Sequence, residues 1–192
     1  MKTVTIYGAS SSQIDGQYMK MANELGQLLA LNGIDCITGG GSEGMMGAVA
    51  KGVLNAGGRV TGIIPQFMID EGWGNKALSE IIITKNMHER KQLMAEKSDA
   101  CIALPGGIGT MEELMEIITW RQLSLYNKPV VIFNINGYYD PLLSMLEKAI
   151  EEKFMHPKNQ EAWNIARSPE EVLNAVALQS QLHFNLRSVA AM

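Results

Sequence analysis

The sequence feature that most constrains the fold is a regular alternation of short apolar runs with longer segments of helical periodicity. Runs rich in β-branched residues occupy 3–8, 34–39, 59–65, 79–84, 100–104, 129–135 and 163–167. Helical patterns fill 15–32, 45–56, 87–98, 110–125 and 141–152. Strands this apolar are typical of a sheet covered on both faces, and strand–helix alternation is typical of parallel pairing. The sequence therefore predicts an α/β fold of three layers, with a parallel sheet of about seven strands.

The last helix has a clear start signal. Ser168 is its predicted N-cap, Pro169 its first residue and Glu171 the capping-box partner, and the helix is expected to run to about residue 182. No linker or composition break divides the chain of 192 residues, so a single domain over 1–192 is predicted. Residues from about 183 to 192 are either a disordered tail or an extension that contacts a second copy.

Composition excludes several classes of partner. A formal net charge of −4 without a basic stripe argues against nucleic acid and anionic membranes. The chain lacks a signal-like apolar segment and a membrane-length apolar run, so a cytoplasmic protein is expected. Cys36 and Cys101 lie in apolar runs without other metal ligands nearby, which predicts buried, reduced thiols and no metal site. The 13 methionines are interpreted as core filler.

Three strand-to-helix loops are candidates for chemistry, because ligands of open parallel sheets bind at the carboxyl ends of the strands. They are "YGASSS" (7–12), "GGGSEGMMG" (39–47) and "PGGIGT" (105–110). The second loop matches G-x-G-x-x-G at Gly39, Gly41 and Gly44. The acidic residue that should follow about 20 positions later is missing from "IIPQ" (63–66), which argues against a dinucleotide. No G-K-[ST] follows either, so the loop is not a P-loop.

The third loop predicts a phosphate site. Its glycines allow close backbone approach, and the helix that follows adds partial positive charge at its N-terminus. Thr110 either caps that helix or donates its hydroxyl to a phosphate oxygen. The alternative is a tight turn in which a glycine packs against a neighbouring helix. Glu113 lies one helical turn from Gly109, on the loop side, whereas Glu112 is assigned to complementing the helix dipole.

A cationic segment, "MHERKQLM" (87–94), opens the helix before the fifth strand. Arg90 and Lys91 are about 100° apart on that helix, so one is expected to point into the pocket and the other along its rim. Basic residues in a first turn oppose the helix dipole, which suggests a functional reason for them. The alternative is a solvated face on which Glu89 is their partner.

Two motifs together resemble one known family. P-G-G-x-G-T-x-x-E is matched by Pro105, Gly106, Gly107, Gly109, Thr110 and Glu113, and Met-x-x-Arg-Lys by Met87, Arg90 and Lys91. The paired motifs resemble those of the LONELY GUY (LOG) proteins, cytokinin riboside 5′-monophosphate phosphoribohydrolases. The likeness runs from "YGASSS" to "GYYDPLL" (137–143) and covers most of the first 150 residues.

The resemblance implies a Rossmann-like fold, a homodimer, no cofactor, and hydrolysis of a nucleoside 5′-monophosphate to free base and ribose 5-phosphate. Arg90 and Glu113 would be catalytic. The residues that would hold the nucleotide are Gly8, Ser10, Gly40, Gly41, Gly44, Met87, Lys91, Gly106, Gly107, Ile108, Gly109, Thr110 and Thr119. A carboxylate beneath the ribose would stabilise an oxocarbenium-like transition state or activate water. Arg90, if within about 4 to 6 Å, is expected to keep Glu113 ionised at neutral pH.

Departures from the family pattern concern the base. Ile108 stands at a position that is often aromatic in the plant enzymes, and "MIDEGWGNKAL" (68–78) does not align with the base-binding segment. Asp70 and Glu71 are both candidates for the acidic residue of that segment. Many relatives carry a lysine decarboxylase label, but the sequence offers no specific case for a pyridoxal phosphate site. A nucleotide-binding sensor or carrier and a redox enzyme are the rival hypotheses.

Overall fold

The computed structural model describes residues 3–179, which form one seven-stranded sheet covered by helices. The strands are β1 Thr3–Tyr7, β2 Asp35–Thr38, β3 Val60–Pro65, β4 Glu80–Thr84, β5 Ala100–Ala103, β6 Val130–Phe133 and β7 Asn164–Ala166. All six pairings are parallel, in the order β4-β3-β2-β1-β5-β6-β7. The predicted fold class is therefore confirmed, and each predicted strand is found with its ends shifted by at most two residues.

The helices are α1 Gly16–Leu31, α2 Gly44–Asn55, α3 Gln66–Asp70, α4 Met87–Lys97, α5 Ile108–Gln122, α6 Asp140–Glu151 and α7 Pro169–Gln179. Helix α3 and two 3₁₀ turns, at Ile135–Gly137 and Pro157–Ala162, were not predicted, because segments of three to six residues are too short for a periodic pattern. Within the described residues, no helix is both long enough and apolar enough to cross a membrane.

Alternate residues of each strand supply two cores. Val4, Ile102 and Phe133 pack with α1, α2 and α7 on one face of the sheet. Cys101 and Ile132, their strand neighbours, pack with α4, α5 and α6 on the other. This two-sided burial follows from the period-2 geometry of a strand and explains why most strand residues are apolar.

The start of α7 largely follows the predicted cap. The Ser168 hydroxyl accepts a hydrogen bond from the Glu171 N–H at 3.2 Å, as a capping box requires. The Glu171 carboxylate, however, accepts from the N–H of Arg167, one residue earlier than the box predicts. The predicted end of this helix near residue 182 and the proposed tail at about 183–192 lie outside the described residues.

The order of the strands reverses at β1, which lies between β2 and β5. The loops after these three strands therefore meet at one edge of the sheet, where open α/β sheets bind ligands. Ala9 joins the three loops through its backbone. Its N–H donates to Pro105 at 3.0 Å and its carbonyl accepts from Met45 at 2.8 Å. Gly44, at φ +63°, lets α2 start here, since a Cβ would lie 2.3 Å from the Ala9 carbonyl oxygen.

The two cysteines are free and buried, as predicted. Burial raises the pKa of both thiols, which keeps them protonated and unreactive. Both belong to strands, Cys36 to β2 and Cys101 to β5. We therefore assign them to the core and not to the chemistry of the chain.

Candidate active site

A cavity of about 770 Å³ opens at the point where the loops after β1, β2 and β5 meet. Loops, helix starts and the segment after α3 all contribute to its wall. The lining residues are Gly8, Ala9, Ser10, Gly39, Gly41, Ser42, Glu43, Met46, Ile64, Met68, Gly72, Trp73, Met87, Arg90, Gly107, Ile108, Gly109, Thr110, Glu112 and Glu113. The three loops singled out from the sequence thus form one pocket.

Helix α5 starts directly on the wall of this pocket. Gly107 is its N-cap, with extended backbone and no side chain to bond the first-turn N–H groups, so a bound anion can take the capping role. The helix begins at Ile108, two residues earlier than predicted. Thr110 is therefore the third helical residue, and the expectation that it could be the N-cap is wrong.

Close packing and two tyrosines hold the loop before α5. A Cβ on Gly106 would lie 2.1 Å from the Thr110 hydroxyl oxygen, so only glycine fits beneath that side chain. The hydroxyl of Tyr138 donates to the Gly106 carbonyl at 2.6 Å, and that of Tyr139 donates to Leu104 at 2.7 Å. Since both tyrosines come from the start of α6, the loop is fixed from outside its own sequence.

Arg90 and Glu113 form a buried ion pair in the pocket wall. Nη2 of Arg90 lies 3.4 Å from Oε1 of Glu113, and the two side chains are 8% and 10% exposed. Among the described residues, the hydrogen-bond partners of Arg90 Nη1 are two thioether sulfurs, Met68 at 3.8 Å and Met87 at 3.6 Å. Its Nε is buried with no hydrogen-bond partner among the described residues. The guanidinium therefore has donors left for a ligand.

Burial raises the pKa of Glu113 from its usual 4.5 to about 7, because desolvation outweighs the attraction of Arg90. Arg90 does lower the pKa of Glu113, as expected, but the expectation that it would keep this carboxylate ionised at neutral pH is wrong, because desolvation is the larger effect. At neutral pH both protonation states of Glu113 are populated, which suits a group that exchanges a proton during catalysis.

Lys91 lies in the contact between α4 and α5 and is not among the residues that line the cavity, although its partner Glu112 is. Its ammonium pairs with the carboxylates of Glu112 and Glu116, the latter at 3.1 Å. Arg90 lines the cavity and Lys91 does not, which agrees with the expectation that only one of the two cations would face the pocket. Glu89 is the partner of neither cation, since its carboxylate accepts from the Lys85 N–H.

The other predicted site residues divide into two groups. Those that line the cavity are Gly8, Ser10, Gly41, Met87, Gly107, Ile108, Gly109 and Thr110. Those outside the lining, besides Lys91, are Gly40, Gly44, Gly106 and Thr119. The three glycines shape the loops through left-handed backbone or close packing. Thr119 is exposed on α5 and donates its hydroxyl to the Met115 carbonyl at 2.7 Å.

Neither acidic candidate for the base segment lines the cavity. Asp70 accepts a hydrogen bond from Gln66 at 2.8 Å, while Gly72 and Trp73 form this part of the wall. The segment is fixed to the second glycine loop by an antiparallel bridge between Gly41 and Gly74. The indole of Trp73 is 55% exposed and is therefore available to a ligand.

Methionines form the apolar part of the wall. Met46, Met68 and Met87 line the cavity together with Ile64, which corrects the interpretation of all methionines as core filler. The sequence carried a signal for Met46 and Met87, since each lies in the first turn of a helix that follows a candidate loop or motif. For Met68 and Trp73 the sequence pointed only to their segment, 68–78, through its comparison with the base-binding segment, and no periodic pattern singled out either side chain. Within the described residues no three His, Cys, Asp or Glu side chains are placed to share a metal ion.

Residues 46–176 match the family model described as "Possible lysine decarboxylase". The chain is 41% identical over 182 residues to the probable cytokinin riboside 5′-monophosphate phosphoribohydrolase LOGL2 of Oryza sativa subsp. japonica, covering 95% of this chain and 75% of the relative. It is 44% identical over 156 residues to the cytokinin riboside 5′-monophosphate phosphoribohydrolase LOG1 of Arabidopsis thaliana, covering 81% and 73%.

Solved structures share the fold. The molybdenum cofactor binding protein of Rippkaea orientalis matches with a TM-score of 0.71 and 26% identity, over 92% of this chain and 96% of that one. The molybdenum cofactor carrier protein of Chlamydomonas reinhardtii matches with a TM-score of 0.71 and 23% identity, over 93% and 97%. The two plant relatives, at 41% and 44% identity, are more similar to this chain in sequence than either of these solved structures. With its paired motifs on one pocket and these relatives across most of its length, the chain belongs to the LOG family.

Proposed function

We propose that this protein hydrolyses the N-glycosidic bond of a purine nucleoside 5′-monophosphate and releases the free base and ribose 5-phosphate. The observation that carries the proposal is the buried Arg90–Glu113 pair, which faces the pocket one turn inside the glycine-capped start of α5. The curated relatives named above are phosphoribohydrolases of a nucleoside monophosphate, and they support the same reaction class for this chain.

The phosphate binds at the start of α5. Backbone N–H groups of Gly107 to Thr110 and the positive end of the helix dipole favour a dianion there. Arg90 lines the same cavity as residues 107–110, and we expect its guanidinium to bond the phosphate or a ribose hydroxyl. Lys91 is not needed for charge balance at the phosphate, because its ammonium is already paired.

Glu113 acts on the ribose. As the bond between C1′ and the base nitrogen breaks, its electron pair leaves with the base and positive charge develops on the sugar. A water oxygen bonds to C1′ while Glu113 takes one proton of that water, and the leaving base takes up a proton. A carboxyl with a pKa of about 7 suits a general base at neutral pH, because its ionised form is populated and basic enough to take the proton of water.

The base occupies the apolar wall of Ile64, Met46, Met68 and Trp73. An exposed indole offers a flat face for a purine, and such stacking is worth roughly 1–3 kcal/mol per base. Asp70 and Glu71 are not part of this wall. We therefore assign base recognition to apolar contacts and to Trp73.

The lysine decarboxylase name has no support in the pocket. A pyridoxal phosphate enzyme holds its cofactor through a lysine amine, and no lysine is among the described residues that line the cavity.

We infer a cytoplasmic location from the two buried, unpaired cysteines.

The experiment is incubation with AMP, an N6-substituted AMP, CMP and adenosine, followed by chromatography for free base. We expect base release from the two purine monophosphates, slower release from CMP and little from adenosine. Equal turnover of adenosine and AMP would remove the phosphate assignment, and equal turnover of CMP would remove the assignment of Trp73.

A second candidate, a nucleotide carrier without turnover, is favoured only by the likeness of the fold to the cofactor-binding protein of Rippkaea orientalis. Binding of AMP without base release would select this candidate over hydrolysis.

A further inference from the structure

The ammonium of Lys91 has two carboxylate partners within the protein. Its side chain is 9% exposed and pairs with Glu112 and with Glu116, whose side chains are 51% and 28% exposed. Burial lowers the pKa of Lys91, but the two carboxylates outweigh that effect and leave it above its usual value. Lys91 is therefore a permanent cation between two helices and does not line the cavity.

The two partners of Lys91 flank Glu113 on α5. Glu112 precedes Glu113 directly, and Glu116 lies three residues after it, on the neighbouring turn. The charged and titratable groups that act on Glu113 are Arg90 and Lys91 from α4, these two carboxylates from α5, and the phenols of Tyr7 and Tyr139. Burial raises the pKa of both phenols, so they stay neutral. Two cations thus face three carboxylates.

We propose that Lys91 is a positioning residue, which neutralises Glu112 and Glu116 and thereby controls the charge state of Glu113, and that it does not bind the substrate phosphate. The catalytic consequence rests on the function proposed above, whereas the electrostatic effect does not. The sequence motif alone pointed to the phosphate, because it places Lys91 beside Arg90 without identifying its partners.

The sign of the effect follows from the charges. Glu112 and Glu116 disfavour the ionised form of Glu113, while Arg90 and Lys91 favour it. Removing the Lys91 charge leaves two carboxylates without compensation, so the pKa of Glu113 must rise. Removing the two carboxylates instead leaves Lys91 unopposed, so the pKa must fall.

The experiment is a ¹³C NMR titration of the Glu113 carboxyl, paired with the pH profile of kcat/KM for AMP. In Lys91→Met, which keeps an aliphatic side chain of similar length, we expect both midpoints to move up by about one pH unit, the lower end of the range for a lost opposite charge. In Glu112→Gln/Glu116→Gln both midpoints should move down. Lys91→Arg keeps the positive charge, so in this variant both midpoints should stay at their wild-type values. Lys20→Met is the matched control, because it breaks the exposed pair with Glu24 on α1.

The outcomes separate the two proposals. An unchanged Glu113 midpoint in both Lys91→Met and the double variant overturns the role of Lys91. A raised KM for AMP with an unchanged pH profile returns Lys91 to the phosphate. If the wild type releases no base, the proposed function fails, but the NMR titration still decides the role of Lys91. The double variant keeps the test open if Lys91→Met does not fold.

Discussion

At the residue scale, the chemistry depends on how far burial can shift one carboxylate. Glu113 is enclosed on a helix that starts at the ligand, and one arginine only partly compensates for the lost solvation. The sequence identified both residues but predicted the wrong direction for the pKa. The spacing of residues along a helix can predict that two side chains lie close together. It cannot predict the pKa of Glu113, because that depends on how far segments distant in the sequence exclude solvent.

Glu113→Gln is expected to lower kcat by 10²-fold or more, since an amide neither accepts the water proton nor balances the ribosyl charge. Nucleotide binding should persist because the start of α5 is unchanged. Steady-state kinetics and calorimetric titration with AMP measure the two effects. Glu112→Gln is the neighbouring comparison and should be milder. Equal losses in both variants would mean that the helix start, and not one carboxylate, had been damaged.

Glu113→Gln should also change how the free energy of unfolding depends on pH. The pKa of Glu113 is higher in the folded protein than in the unfolded chain, so proton binding at Glu113 stabilises the folded state. This stabilisation is fully present below about pH 4.5 and is lost as pH rises through about 7. A shift from 4.5 to about 7 corresponds to about 3 kcal/mol. Urea unfolding of the wild type and of Glu113→Gln at pH 5 and pH 8 measures this loss of stability. Between the two pH values the free energy of unfolding should fall less in Glu113→Gln than in the wild type. Parallel curves would contradict a raised pKa.

At the element scale, the strands and long helices could be predicted, but the exact starts and partners could not. Apolar alternation located each strand to within two residues. The start of α5 was misplaced because Gly107 caps the helix without a side chain, and sequence rules look for one. The partners of Lys91 could not be predicted either, because they depend on the rotation of α4 against α5.

The contact between the second loop and α4 gives a prediction. A Cβ on Gly39 would lie 2.1 Å from Nη2 of Arg90, so Gly39→Ala must displace the guanidinium. We expect kcat for AMP to fall by roughly tenfold or more, as for a misplaced catalytic group, with little loss of folding. The matched control is Gly16→Ala, where a Cβ meets nothing within 4 Å. Unchanged kinetics in Gly39→Ala would separate Arg90 from the chemistry.

At the scale of the whole molecule, an apolar surface near the end of α5 remains uncovered. Leu123 and Leu125 are 51% and 67% exposed beside Trp120, which is only partly buried. We expect these residues to pack against a second copy, as the family resemblance implies. Light scattering at micromolar concentration should give a dimer mass, and Leu125→Glu should shift it toward the monomer. A monomer mass for the wild type would refute this.

The three loops at the pocket are joined through the main chain of Ala9, which bonds Pro105 on one side and Met45 on the other. These two bonds use main-chain atoms only, so we expect substitutions at lining side chains such as Met46 to leave them in place, whereas changes at Gly44 or Gly106, where a Cβ does not fit, would disturb the loops. We therefore expect the joined loops to be formed before a ligand binds, so that binding costs little ordering entropy. Hydrogen exchange provides the measurement: the amides of Ala9 and Met45 should already be protected in the free protein, and AMP should add little to that protection.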